Sequence, residues 1–425
     1  MHSFADTSEI LVPEALIDQV LGQEEARTII RQAALQRRHV LLIGEPGTGK
    51  SLLGQAMAEL IKATSPEDML IFPQPQDPTR PEIHRIPAGQ GAVQVAAYRA
   101  HAQRATQSLQ FVVWVVAAAL LLVSVYFTLR DASLTSLTGG LIAVALVLWL
   151  RQHLLKLPAA QAPKVLVQHP RDHAPFVDAT GLHAGALLGD VRHDPYQSGG
   201  VETPPHHLVE AGAIHRAHGG VLYIDEVSLL GLDAQHHLLT AMQEQQFAIT
   251  GRSPGSSGTM VHTAPVPCDF TLVLAGNIED LAHIHPALRS RIRGYGYEIY
   301  THARMHNTAA NQWLIARLVA QEVRRDGKIP HCSAAGVAAV IDTARQRAGE
   351  PGKLSCHFRE LGGLIRIAGD LAVHEGAPLI EAHHIHRAVK WSRPIEEQIA
   401  IAHRTQQAYP EASGRDGGRH RGETQ

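Results

Sequence analysis

Apolar positions along the chain follow three rhythms. Residues 39–43 (HVLLI), 221–224 (VLYI) and 270–275 (FTLVLA) are short apolar runs without polar alternates. That pattern predicts strands covered on both faces of a parallel sheet. A second rhythm, apolar residues at helical spacing, occupies LLGQAMAELI after position 51 and recurs from about 303 to 403, as in GVAAVI at 336–341. It predicts an amphipathic helix directly after the first strand and a helical region at the C-terminal end. The third rhythm is continuous: residues 111–129 (FVVWVVAAALLLVSVYFTL) and 134–150 (LTSLTGGLIAVALVLWL) carry no charge.

A membrane span needs about 20 apolar residues. The first continuous run meets that length and the second lies at its short end. Trp114, Tyr126 and Trp149 stand near the run ends, where amphipathic rings favour the interface. Arg99 and Arg104 precede the pair, Arg151 and Lys156 follow it, and the connection offers Arg130 beside Asp131. The positive-inside bias predicts a transmembrane hairpin over 111–150 in the cell membrane, multi-pass, with both flanks cytoplasmic. The weaker alternative is a buried helical hairpin.

Length and composition narrow the class. At roughly 150 residues per unit, 425 residues allow three structural units. Charged residues are 18% and apolar residues 45%, which excludes a disordered chain. A net charge of -2 gives no field to attract nucleic acid, so none is expected as a partner. Cys268, Cys332 and Cys356 are scattered and form neither a disulfide framework nor a zinc pair, as in a cytosolic domain. No secretory leader is read at the N-terminus. The 28 histidines include the groups His206-His207, His236-His237 and His383-His384 with His386, but no HExxH pattern, so solvated histidines are expected in preference to a metal site.

The chemistry lies on either side of the continuous runs. The first strand leads into Gly44-Glu45-Pro46-Gly47-Thr48-Gly49-Lys50-Ser51 and then a helix, the strand–loop–helix context that the spacing GxxxxGK[ST] requires. Glycines let backbone N–H groups approach phosphates, and the helix N-terminus adds partial positive charge. Lys50 is expected to reach the β- and γ-phosphates, and Ser51 to bind Mg2+. The strand at 221–224 ends in Asp225 and Glu226, the first placed to hold the magnesium shell and the second to deprotonate an attacking water. The strand at 270–275 ends in Gly276-Asn277, whose amide is either a water-positioning group or a turn residue.

Taken in this order, these motifs resemble the AAA+ ATPase superfamily. Val20-Leu21-Gly22-Gln23 resembles its adenine-wrapping segment, HPALRSR at 285–291 its arginine-finger segment, and Phe358-Arg359-Glu360-Leu361 its sensor-2 helix. The stretches at 176–200, 238–253 and 286–298, with a membrane hairpin between the nucleotide motifs, resemble the membrane-anchored Lon family of archaeal type, LonB. The resemblance implies a doubly wound α/β nucleotide-binding domain (1–110 and 157–300), the hairpin as an insertion within the 175 residues between Lys50 and Asp225, a helical lid (301–403) and a disordered tail (404–425). It also implies ATP and Mg2+ as cofactors and a homo-oligomeric ring, a hexamer, that threads unfolded polypeptide. Arg291, with Arg289 second, becomes the finger that acts in a neighbouring subunit, Arg359 a sensor, and Tyr196 a substrate-gripping pore-loop residue. Lon proteases also carry a serine–lysine peptidase domain. Residues after Trp391 hold no lysine and only scattered serines, and the last of these sits in a Gly- and Arg-rich stretch. ATP hydrolysis without peptidase activity is therefore expected, with the protease either a separate chain or lost by shortening of the gene. The alternative is a non-proteolytic chaperone or switch acting on a membrane partner.

Overall fold

The computed structural model describes residues 4–62, 66–131, 134–154, 162–192, 203–252 and 260–408. Two compact units divide the chain: Glu14–His302, and Met1–Pro13 with Ala303–Gln425.

In chain order, the first unit's strands that bear on the site are β1 (Val40–Gly44), β2 (Glu67–Phe72), β3 (Glu82–Pro87), β4 (Lys164–Val167), β5 (Phe176–Asp178), β6 (Val221–Ile224), β7 (Thr271–Gly276) and β8 (Tyr297–Thr301). Its main helices are α1 (Glu24–Leu35), α2 (Lys50–Leu60), α3 (Gly91–Asp131), α4 (Leu134–Leu154), α5 (Leu232–Glu244) and α6 (Pro286–Tyr295). A five-stranded parallel sheet has the order β8-β1-β7-β6-β5. Side chains alternate between its two faces. Val40, Leu42, Val221, Tyr223, Val273 and Ala275 pack with Ile30 of α1 and Leu53 and Met57 of α2. Leu41, Ile43, Leu222, Ile224, Leu272 and Leu274 pack with Leu238 of α5 and Leu288 of α6. Both faces are covered, which explains the absence of polar alternates in these strands. Because β7 lies between β1 and β6, the carboxyl ends of the strands set Gly44, Asn277 and Asp225 along one edge of the sheet, where α/β folds bind ligands.

The stretch between the nucleotide motifs holds more than a hairpin. An antiparallel sheet, β3-β2-β4, stands at its root. Buried Asp68 on β2 ties that root together: one carboxylate oxygen accepts N–H bonds from Gly89 (2.7 Å) and Gly91 (2.9 Å), and the other accepts from His169 (3.1 Å). Helix α3 therefore starts at Gly91, well before the apolar run at 111, with a negative charge at its N-terminus.

Where two spans were expected, only one helix satisfies the length. Among the described residues, Gly91–Arg130 is long and apolar enough to cross a membrane, and 11% of its most apolar window is buried. The apolar stretch of α4, Leu137–Trp149, falls short of a span. The two helices do pack as a pair, so closely that a Cβ on Gly140 would lie 2.3 Å from the Ser124 side chain. Phe111, Trp114, Leu122, Tyr126 and Leu129 remain exposed along α3.

The second unit contains β9 (Arg304–His306) paired antiparallel with β10 (Lys353–Ser355), and helices α7 (Ala309–Asp326), α8 (Ala334–Ala348), α9 (Phe358–His374), α10 (Ala382–Trp391) and α11 (Ile395–Ala408). Residues 4–13 belong to this unit and not to the nucleotide-binding domain expected over 1–110. Thr7 donates its N–H to the Cys332 carbonyl, Cys332 N–H donates to Thr7 Oγ1 (both 2.9 Å), and Phe4 meets Trp313 edge-on. Helix α11 continues to Ala408, past the expected start of the tail at 404, and residues 409–425 lie outside the described residues.

All three cysteines are buried and none is in a disulfide, and burial pushes the Cys268 and Cys332 thiols up to about 12. Two histidines, His39 half-buried and His215 buried, are held in the neutral form. His39 Nδ1 accepts the Leu272 N–H at 3.0 Å, and burial, with Arg291 nearby, lowers its pKa to about 4. His215 accepts the Gly212 N–H and donates to the Phe247 carbonyl, and burial again lowers it to about 4. In the unfolded chain these rings take up protons below the ordinary value of 6.5, so their contribution is complete above that pH and is lost as pH falls through 4. Urea unfolding is expected to show a falling midpoint between pH 7 and pH 4, with an upper bound of about 3 kcal/mol for each ring. A midpoint that stays flat over this range would contradict the assignment.

Candidate active site

The loop between β1 and α2 is shaped by close approach and by positive φ. A Cβ on Gly44 would sit 2.0 Å from Thr301 Oγ1, so only glycine lets β1 pass β8 there. Gly47 (φ 81°) and Gly49 (φ 96°) occupy left-handed backbone ahead of α2, a conformation that glycine adopts without steric cost. Thr48 is buried, donating from Oγ1 to the Glu45 carbonyl (2.9 Å) and sharing a hydrogen bond with Thr301 Oγ1 (2.8 Å). Glu45 and Pro46 are exposed at the tip. Lys50 is buried and donates from Nζ to the carbonyls of Gly44 (2.7 Å) and Glu45 (3.0 Å), so its ammonium sits inside the loop, where an anion held by the N–H groups would meet it.

Beyond the loop, Ser51 and the end of β6 are joined through one phenol. Tyr223 Oη lies 3.2 Å from Ser51 Oγ and 3.1 Å from Asp225 Oδ2. Asp225 is further fixed by its N–H, which donates to Thr180 Oγ1 (2.9 Å), and by its Oδ1, which accepts the Glu226 N–H (3.0 Å). A hydroxyl and a carboxylate held this close form an oxygen donor set suited to a hard divalent cation. Glu226 is exposed at φ 51°, a left-handed conformation uncommon for a side-chain-bearing residue and frequent at functional sites. Asn277 is half-buried at the end of β7, its N–H donating to buried Asp280 Oδ2 (2.7 Å), so turn geometry holds the amide at this edge.

Helix α6 starts on His285, whose Nδ1 accepts the Ala287 N–H. Its three arginines differ. Arg289 (2.9 Å) and Arg293 (3.4 Å) share the carboxylate of Glu298 and hold its pKa below the usual carboxylate range. Arg291 instead lies over the Tyr295 ring, 4.4 Å from its centroid, and its buried Nε has no hydrogen-bond partner among the described residues. Of the two finger candidates, Arg289 is thus engaged by its own chain and Arg291 is not ion-paired by Glu298.

Other expected residues fall elsewhere. The Val20 and Leu21 side chains are buried, Val20 in the cluster around α2, so any ligand contact from this segment comes from its backbone. Gln23 pins the segment by bonding both the N–H and the carbonyl of His302. Arg359 belongs to the helical unit, exposed in the first turn of α9. Tyr196 lies outside the described residues. On α10, His384 Nδ1 accepts the Glu381 N–H (2.9 Å), its Nε2 faces Glu375 (3.1 Å), His383 Nε2 lies 3.5 Å from the same carboxylate, and Arg387 pairs with it. Tyr223 and Gly54 were missed. The signal was a lone tyrosine in an aliphatic strand, together with a glycine inside α2, where a Cβ would lie 2.6 Å from the tyrosine ring.

Comparison with known proteins covers both units. Residues 172–287 match the model of the LonB-like AAA domain, and residues 331–393 match that of the archaeal LonB AAA+ ATPase LID domain. Residues 16–102 match the magnesium chelatase subunit ChlI model, over the loop and the first helices. The archaeal Lon protease of Archaeoglobus fulgidus is 51% identical over 93% of this chain and 63% of its own length, and that of Thermococcus kodakarensis is 50% identical over 93% and 62%. The chain thus spans about three-fifths of the length of these relatives. A putative Lon protease homologue of Thermoplasma volcanium is 37% identical over 94% of this chain and 91% of its own length. A LonB model on each unit and a Lon homologue matched over nearly all of its length place the chain in the archaeal-type Lon family, LonB, of AAA+ ATPases.

Proposed function

We propose that the chain is the ATP-hydrolysing motor of a membrane-anchored Lon system, which unfolds and moves polypeptide toward a peptidase. The observation that carries the reading is the shared sheet edge: the Lys50 loop, Asn277 and the Asp225-Glu226 pair emerge side by side, and Tyr223 links two of them. In this reading the loop N–H groups and Lys50 bind the ATP phosphates, and the Val20–Gln23 backbone flanks the adenine. Ser51 and Asp225 would hold Mg2+, which when bound neutralises charge on the phosphate oxygens. Glu226 takes a proton from the attacking water, and the Asn277 amide orients that water. Arg291 reaches the γ-phosphate of the neighbouring copy in a homo-oligomeric ring, proposed as a hexamer, and Arg359 follows nucleotide state from the helical unit. Unfolded protein is the substrate, gripped by Tyr196.

The α3–α4 pair is proposed as a hairpin anchor in the cell membrane, with the ATPase on the cytoplasmic side. Its support is the exposed apolar surface of α3 and the basic residues outside both apolar runs. One experiment tests motor and anchor together. Membranes from cells producing the chain are washed with alkaline carbonate, solubilised in mild detergent, and assayed for ATPase with and without an unfolded polypeptide. The protein is expected in the washed pellet, with an ATPase that the polypeptide stimulates and that Lys50→Ala abolishes. Release by carbonate overturns the anchor. An ATPase indifferent to the polypeptide overturns the motor and favours a nucleotide-dependent switch acting on a membrane partner.

A further inference from the structure

The side chain of Tyr223 is almost wholly buried, yet its hydroxyl stands between the two oxygens assigned to the cation. Resting on the ATPase reading above, we infer that Tyr223 is a positioning residue for the nucleotide-associated cation: its phenol orients the Ser51 hydroxyl and the Asp225 carboxylate so that both present lone pairs to Mg2+.

Hydrogen-bond accounting supports this direction. An ionised carboxylate only accepts, so the single phenol hydrogen goes to Asp225 Oδ2. The phenol oxygen then accepts the Ser51 hydrogen, and the remaining Ser51 lone pairs are free for a cation. Asp225 Oδ1 already takes the Glu226 N–H, so the carboxylate plane is fixed from both sides. The ring is equally constrained. It fits beneath α2 because residue 54 is glycine, and it lies 5.7 Å from the Phe176 ring. Fold and chemistry thus converge on one side chain, and only its oxygen serves the cation.

Tyr223→Phe separates the two roles, because it keeps the ring and removes the oxygen. Partners that orient metal ligands are commonly worth 10–100-fold in metal affinity. With ADP bound, Mn2+ affinity measured by electron paramagnetic resonance is therefore expected to fall by about tenfold or more. The Mg2+ concentration for half-maximal ATPase should rise in parallel, and fluorescent-ADP binding in EDTA should stay at the wild-type level. An unchanged Mn2+ affinity overturns the inference, as does an equal loss of nucleotide affinity with and without the cation, which would mark a packing role. Wild-type protein that binds no Mn2+ with nucleotide would overturn the ATPase reading itself, a result distinguishable from either of these.

Discussion

Glu226→Gln is expected to bind ATP as the parent chain does and to lose turnover by about 10²–10⁴-fold, the usual worth of a positioned general base. The two side chains are nearly isosteric, and the neighbouring Asp225 carboxylate keeps its bonds to Tyr223 and to the residue 226 N–H. What changes is basicity: an amide oxygen cannot take up the proton released as water attacks. The left-handed backbone at residue 226 is already set by the turn after β6 and does not depend on the side-chain terminus. Steady-state ATPase measured beside fluorescent-ATP binding checks this. Hydrolysis at the parent rate would remove Glu226 from its role.

Arg291→Ala is expected to cost still more, because a finger supplying charge at the γ-phosphate is worth 10³–10⁵ in kcat in related NTPases, by order of magnitude. ATP binding should persist, since Arg291 lies on α6 beside Tyr295 and forms no part of its own chain's Lys50 loop. Mixing provides the sharper test. Glu226→Gln chains supply a finger but no base, and Arg291→Ala chains supply a base but no finger. Co-assembled, the two inactive proteins should recover part of the wild-type ATPase wherever an Arg291→Ala site faces a Glu226→Gln neighbour. If the mixture stays inactive although mixed rings form, the finger is not shared between copies.

The sequence made the site legible where local backbone geometry dictates residue type. Glycines at 47 and 49 announce positive φ, and fully apolar strands announce a sheet covered on both faces. Contacts between distant residues left weaker traces. Tyr223 meets Ser51 across 172 positions, and nothing in the local pattern of VLYI distinguishes a core ring from a ring with a working oxygen. Residues 4–13 pack with α7 and α8 through matches to Cys332 and Trp313 that no periodicity displays. The apolar run marks only the later part of α3, because the first 20 residues of the helix are polar or weakly apolar and hydropathy registers only the continuous run that follows. The antiparallel β2–β4 sheet escaped notice for a similar reason: β3 is largely exposed and carries no alternating signature.

The Asp68 junction has a mechanical side. A carboxylate that grips Gly89, Gly91 and His169 at once makes the foot of α3 a fixed joint. From that joint extends a helix of 41 residues, about 60 Å long at 1.5 Å per residue. A rigid arm of this length magnifies rotation: tilting the foot by about 5° swings the far end by roughly 5 Å, one helical turn. Any rocking of the β2–β4 sheet is thus geared up along the arm, whereas a severed Asp68 contact would let the arm idle while the sheet moves.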